Sequence, residues 1–167
     1  GVIHQMQGDV ESALSPLKDA LGFFRVTRDT QQTSATLVHI ADTYRLLNET
    51  ALSRAYYEDA LTLLNTEDSN NVLIGTIKIR IGNAQKEEGF YEKAIATISE
   101  GLNLHLAADN KKGVAEAQIA LGEAFIAMGN SSRGFALIQE AMAFALSSAH
   151  TVLIKQARLA LAQALID

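Results

Sequence analysis

Residues 118–141 read QIALGEAFIAMGNSSRGFALIQEA, and the spacing inside this stretch decides the kind of chain it belongs to. Gln118, Leu121, Gly122 and Phe125 recur at offsets of three and four, the spacing of one helical face. Gly129-Asn130 then interrupts the pattern as a helix C-terminus does. Gly134, Ile138 and Ala141 resume the helical spacing beyond it. The stretch therefore predicts two helices joined by a tight turn.

Working outward, the same arrangement returns every 40 or 41 residues. Gly8, Asn48, Gly89 and Gly129 mark the turn; Ala13, Ser53, Ala94 and Gly134 follow five residues later. Leu17, Tyr57, Ile98 and Ile138 keep the same register, as do Ala20, Ala60, Gly101 and Ala141, and Leu21, Leu61, Leu102 and Met142. Gly1, Ala41, Gly82, Gly122 and Ala162 carry the period to both ends. Ladders held in common register over the whole length define an internal repeat.

In the copy between Asp29 and Asn48, Leu37, Ile40, Ala41, Tyr44 and Leu47 lie on one helical face; a second helix runs to about Leu64. Asp29, Ser69, Asn110 and His150 precede the first helix of successive copies. Asp, Ser and Asn accept orphan N–H groups at a helix start. Histidine departs from that chemistry, so Ser147 or Ser148 is expected to cap instead. The small positions mark where helices must approach closely, with Tyr57, Ile98 and Ile138 filling the space beside them. One pair cannot bury both faces, so the units must stack. Pro16, the sole proline, falls within the expected second helix of the first unit and predicts a local bend near its start.

Composition agrees with packed helices. Hydrophobic residues make up 48% and charged residues 20%, with few aromatics to build a sheet. No cysteine is present, which removes disulfides, zinc knuckles and thiol nucleophiles and is compatible with a cytoplasmic location. The net charge of −5 and scattered basic residues oppose binding to a phosphate backbone. No apolar run is long enough to span a membrane.

The copies resemble the tetratricopeptide repeat, whose signature is W-x2-L-G-x2-Y followed by A-x3-F. Residues 118–125 and 134–141 match it with Leu121-Gly122, Phe125 and Ile138; a second copy has Ile40-Ala41, Tyr44, Ser53 and Tyr57. A third, weaker copy has Ile81-Gly82, Ala94 and Ile98, with Gln85 in place of the aromatic residue. The closing proline is absent and the period exceeds the usual ~34 residues, which lengthens each helix by about 4.5 Å. The longer period is similar to that of kinesin light chains, LGN-type scaffolds and bacterial regulators. The resemblance implies an all-α, right-handed superhelical solenoid of antiparallel helix pairs. Its expected divisions are a partial unit at 1–28, repeats at 29–68, 69–109 and 110–149, and a partial unit at 150–167. A chain starting and ending mid-unit is expected to be a segment of a longer protein.

The resemblance also implies a protein-interaction module whose first helices line a groove for a peptide or a helix, with a sensing or scaffolding role in a larger protein. The expected groove positions are Val38, Asp42 and Arg45, then Ile79, Asn83 and Lys86, then Glu116, Ile119 and Glu123. They form an apolar ladder (Val38, Ile79, Ile119, Leu159) beside an acceptor-rich one (Asp42, Asn83, Glu123, Gln163). The apolar ladder would serve as a groove floor only if neighbouring repeats leave it accessible. A clamp for a partner's C-terminal carboxylate is not expected, because Asp42 and Glu116 stand where Lys or Arg would be needed.

Catalytic and metal motifs are absent from the sequence. The glycines follow the repeat rather than a phosphate loop, and His4, His39, His105 and His150 lack metal spacing. His39 with Asp42 reads as a groove-edge hydrogen bond, and Tyr56 is expected to be exposed while Tyr57 packs. No enzyme activity and no cofactor are expected. The alternatives are an RNA-binding helical repeat, or self-association as a homodimer through apolar ends near Val2, Ile3, Leu159 and Leu161.

Overall fold

The computed structural model describes residue 10, residues 12–64 and residues 71–165. Eight α-helices and no strand occur among the described residues. They are α1 (Leu14–Val26), α2 (Thr30–Leu46), α3 (Thr50–Leu64), α4 (Asn71–Glu87), α5 (Tyr91–Ala107), α6 (Lys111–Ala127), α7 (Ser131–Ser147) and α8 (Thr151–Gln163). The chain falls into two compact units, Gly1–Asn70 with α1 to α3 and Asn71–Asp167 with α4 to α8. Helix α2 packs on α3, α4 on α5 and α6 on α7.

One device closes each described turn. After a helix ends, a residue takes positive φ: Arg28, Asn48, Asp109 and Ala149, or Gly89 and Gly129. The next N–H then reaches back to the helix, as in Phe90 N–H to Gln85 O at 2.8 Å and Asn130 N–H to Phe125 O at 2.8 Å. This satisfies carbonyls that the helix leaves without partners. Asn48, Gly89 and Gly129 were legible as turn residues; Gly8 lies outside the described residues. Arg28, Asp109 and Ala149 form a second left-handed series that the sequence disguises, because none of them is glycine.

The caps follow the sequence in part. Asp29 accepts from Gln32 N–H and Asn110 from Gly113 N–H. Asn130 accepts from Arg133 N–H, a cap the ladders did not single out. His150 makes no side-chain cap. Ser147 and Ser148 do not replace it: each hydroxyl donates to Phe144 O at 2.8 Å, on the C-terminal end of α7. Ser69 lies outside the described residues. Pro16 stands in the first turn of α1, and the helical pattern that holds Val10 and Ser12 breaks at Ala13, just before it, because the proline has no N–H to give to the carbonyl four residues earlier.

In the second unit, the small positions mark close helix approaches. A Cβ on Gly82 would stand 2.3 Å from Ile98 Cγ1, and one on Gly122 would stand 2.5 Å from Ile138 Cγ1. Gly101 lies against the backbone of Gly75, where an added Cβ would meet the carbonyl oxygen at 2.7 Å. Ile98 and Ile138 fill the adjoining space and are fully buried, each contributing about 1.5–3 kcal/mol. The clusters around Ile98 and Ile138 join α4 to α6 and α6 to α8 through the second helices between them.

The first unit solves the same problem with larger residues. Ala41 replaces glycine and Tyr57 replaces isoleucine, both fully buried. The Tyr57 hydroxyl donates to Asp42 Oδ1 at 2.5 Å, which satisfies the polar end of the larger side chain. Tyr56 is half-buried rather than exposed: its ring stacks on Tyr44 with centroids 5.3 Å apart. Lys18 Nζ lies 5.7 Å from the Tyr44 ring centre.

Candidate functional site

The repeat register places equivalent side chains of α4, α6 and α8 on one face of the second unit. Thr76, Ile79, Arg80 and Asn83 come from α4, Glu116, Ile119, Ala120 and Glu123 from α6, and Gln156 and Leu159 from α8. Together they line a pocket of about 260 Å³. A wider hollow of about 690 Å³ adjoins it toward the C-terminal ends of the same helices. Lys86, Glu123, Ile126 and Gln163 line that hollow, so Glu123 belongs to both.

The apolar ladder divides by position. Ile79 and Ile119 are each only 6% exposed and belong to the packed clusters, while Leu159 on α8 is 68% exposed. Ile79 sits over Gly101, where an added Cβ would approach its Cγ1 to 3.1 Å. Ile79 and Ile119 therefore knit α4 and α6 to the core and show only their edges to the pocket. The accessible part of the ladder in this unit is Leu159.

The polar positions are partly engaged within the fold. Lys86 Nζ on α4 pairs with Glu123 Oε2 on α6, bridging neighbouring first helices. Glu116 pairs loosely with Lys112 one turn earlier, at 3.7 Å. Asn83 Oδ1 is buried without a hydrogen-bond partner among the described residues. A buried carbonyl oxygen lacking a donor is costly to keep, which makes it a natural point for a ligand N–H. In the first unit, Val38 is half-buried, Asp42 receives the Tyr57 hydroxyl and Arg45 is exposed on α2. His39 is exposed and its carbonyl accepts from Thr43 Oγ1. The Asp42 contact shown is with Tyr57.

The structure thus brings Ile79, Asn83, Glu116, Ile119 and Glu123 around one pocket, with Lys86 at its border. Arg80 also lines the pocket and is not among the groove positions expected from the ladders. Arg80 lies on the neighbouring stripe, one turn beyond Thr76, and no ladder of like residues marks it. Among the described residues no group of three or more His, Asp or Glu side chains could hold a metal ion. No described helix is long and apolar enough to cross a membrane.

No family sequence model matches the chain, and no curated protein matches it by sequence. Solved structures do match its fold. BtubC (BKLC) of P. vanneervenii superposes with a TM-score of 0.72 at 22% identity, over 83% of this chain and 57% of that one. This chain thus spans little more than half the length of BtubC. Nearly identical TPR-like repeats from Podosopora anserina, assigned to a putative kinesin light chain, superpose with a TM-score of 0.67 at 12% identity. That match covers 97% of this chain and 92% of the other; a point variant of the same repeats covers 99% and 94%. The chain has the TPR-like repeat fold, all-α and built of helix pairs.

Proposed function

We propose that this chain is a protein-interaction module that takes up a peptide or a helix on the α4, α6 and α8 face. The observation that carries the reading is the buried, unpartnered Oδ1 of Asn83 in the wall of the 260 Å³ pocket. Glu116, Gln156 and exposed Leu159 around it add polar groups and one apolar contact. A peptide backbone supplies N–H donors at regular intervals, which suits such an acceptor.

Val38, Asp42 and Arg45 hold the equivalent positions on α2 in the repeat register, and one array running through residues 1–167 is the organisation that register supports. The module acts in the cytoplasm as the sensing or scaffolding segment of a larger protein, and it performs no catalysis. The internal pairing of Lys86 with Glu123 leaves the rim nearly neutral, so recognition rests on hydrogen bonding and shape more than on charge.

Selection from a random peptide library against the immobilised chain tests this reading. Peptides should be recovered that lose affinity for the Asn83→Ala and Glu116→Ala variants. A parallel titration with single-stranded RNA at physiological salt should show no appreciable binding. Firm RNA affinity with no recoverable peptide would replace this reading with the nucleic-acid alternative.

A further inference from the structure

A separate property lies away from the pocket, where α4, α5 and α6 meet. His105 on α5 is fully buried, and its ring occupies space left by two glycines. A Cβ on Gly113 of α6 would stand 2.3 Å from Nδ1, and one on Gly75 of α4 would stand 3.0 Å from Nε2. One repeat later the same three positions hold Ala115, Ala145 and Leu153, all buried and apolar. The bulk has moved from the first helix of one repeat to the second helix of the preceding repeat, and a titratable ring has replaced hydrocarbon.

Asn110 fixes the state of that ring. Its Oδ1 accepts from Gly113 N–H at 3.2 Å, capping α6, and its Nδ2 lies 3.0 Å from His105 Nδ1. With the amide oxygen committed to the helix, the amide nitrogen must donate to the ring. Nδ1 is therefore the acceptor and the ring hydrogen sits on Nε2, which has no partner among the described residues.

We propose that His105 and Asn110 make the α5–α6 junction a pH-responsive joint. A proton on Nδ1 sets two donors face to face, and turning the Asn110 amide to relieve them removes the acceptor that caps α6. The joint cannot satisfy the charged ring and the helix start together.

The charged groups around it are few. Glu116 on α6 acts on the ring and favours its protonation, but Glu116 is shared with Lys112 of the same helix. On α4, Lys78 is tied to Glu100 of α5 at 2.5 Å. Asp109 and Lys111, beside the cap, are exposed. Burial outweighs Glu116 and holds the ring's proton affinity below the ordinary histidine value. An unfolded chain then binds the proton more readily than the folded one. Stability is complete above about pH 6.5 and declines as the pH falls through the range below it.

Amide hydrogen exchange on the 167-residue chain tests the joint. Protection at Gly113 and Val114 should fall by up to about tenfold for each pH unit below ~6.5, beyond the change in the intrinsic rate. His105→Gln, which cannot take up the proton, should remove this excess fall. Asn110→Asp offers one carboxylate oxygen to Gly113 N–H and the other to a protonated ring, and should abolish or reverse the fall. An equal fall in wild type and His105→Gln, or in wild type and Asn110→Asp, would overturn the proposal. Should His105→Gln fail to fold, the ring nitrogen shifts of the wild type decide: hydrogen on Nε2 at neutral pH supports the joint, and hydrogen on Nδ1 refutes it.

Discussion

The hydroxyl of Tyr57 on α3 donates to Asp42 Oδ1 on α2 at 2.5 Å, across the helix pair of the first unit. The bond uses a position expected in the sequence to face a partner. Tyr57→Phe keeps the ring and deletes the donor, so a loss of about 1–2 kcal/mol is expected. Both residues have other interactions, so the pair is best isolated by a double-mutant cycle with Asp42→Ala. Urea melts should give a coupling energy of about 1 kcal/mol, and additive effects would show that the bond contributes nothing.

Two glycines inside helices should respond oppositely to alanine. Gly22 in α1 has open space where a Cβ would go, so Gly22→Ala should stabilise by about 0.5–1 kcal/mol through helix propensity. At Gly122 the new Cβ would meet Ile138 Cγ1 at 2.5 Å and the Gly134 carbonyl at 2.8 Å. Gly122→Ala should therefore destabilise by about 1–3 kcal/mol. Thermal melts of the two variants check the sign of each.

The turn after α7 places Ala149 at φ 52°. An L-residue with a side chain is strained there, and Ala149→Gly should raise stability by about 0.5–1 kcal/mol. Gly129, at φ 90°, is the converse case: Gly129→Ala should cost about 1 kcal/mol although nothing stands near its Cβ position. Equilibrium denaturation of both variants measures the difference.

Gln85 occupies the position held by Tyr44 and Phe125 in the other copies, and only 3% of it is exposed. Its Oε1 is buried without a partner among the described residues. Gln85→Met retains the length and removes the unsatisfied oxygen, so a gain of about 1 kcal/mol is expected in the same melts.

The repeat was legible in the sequence because close packing demands residues of a particular size at fixed intervals. Gly82 opposite Ile98 and Gly122 opposite Ile138 are such pairs, and each can be read from one copy onto the next. Turns were legible where glycine or asparagine marks them, at Asn48, Gly89 and Gly129. Arg28, Asp109 and Ala149 adopt the same backbone without that mark, because the surrounding hydrogen bonds impose it.

The candidate site was legible as positions that share one face, and less so as chemistry. The period assigns Asn83, Glu116 and Glu123 to one face, and the pocket gathers them. It says nothing of the Lys86–Glu123 pair, which joins residues on different repeats, nor of Arg80, which has no counterpart to form a ladder. Whether Ile79 and Ile119 floor a groove or hold the core depended on how tightly glycines such as Gly101 draw the helices together. His105 stood out only as a histidine without metal spacing. Its exchange of volume with Gly113 becomes visible once Ala145 and Leu153 are set beside it.

The proposed seat of a peptide is the α4, α6 and α8 face. The most direct measurement is the set of backbone amide shifts of the chain on saturation with a peptide selected from a random library. The shifts should gather at Thr76, Asn83, Glu116, Glu123, Gln156 and Leu159. Asn83→Ala should weaken the same peptide about tenfold or more, or ~1.4 kcal/mol. Shifts gathered on α5 and α7, with affinity unchanged in Asn83→Ala, would rule out this face as the peptide's seat.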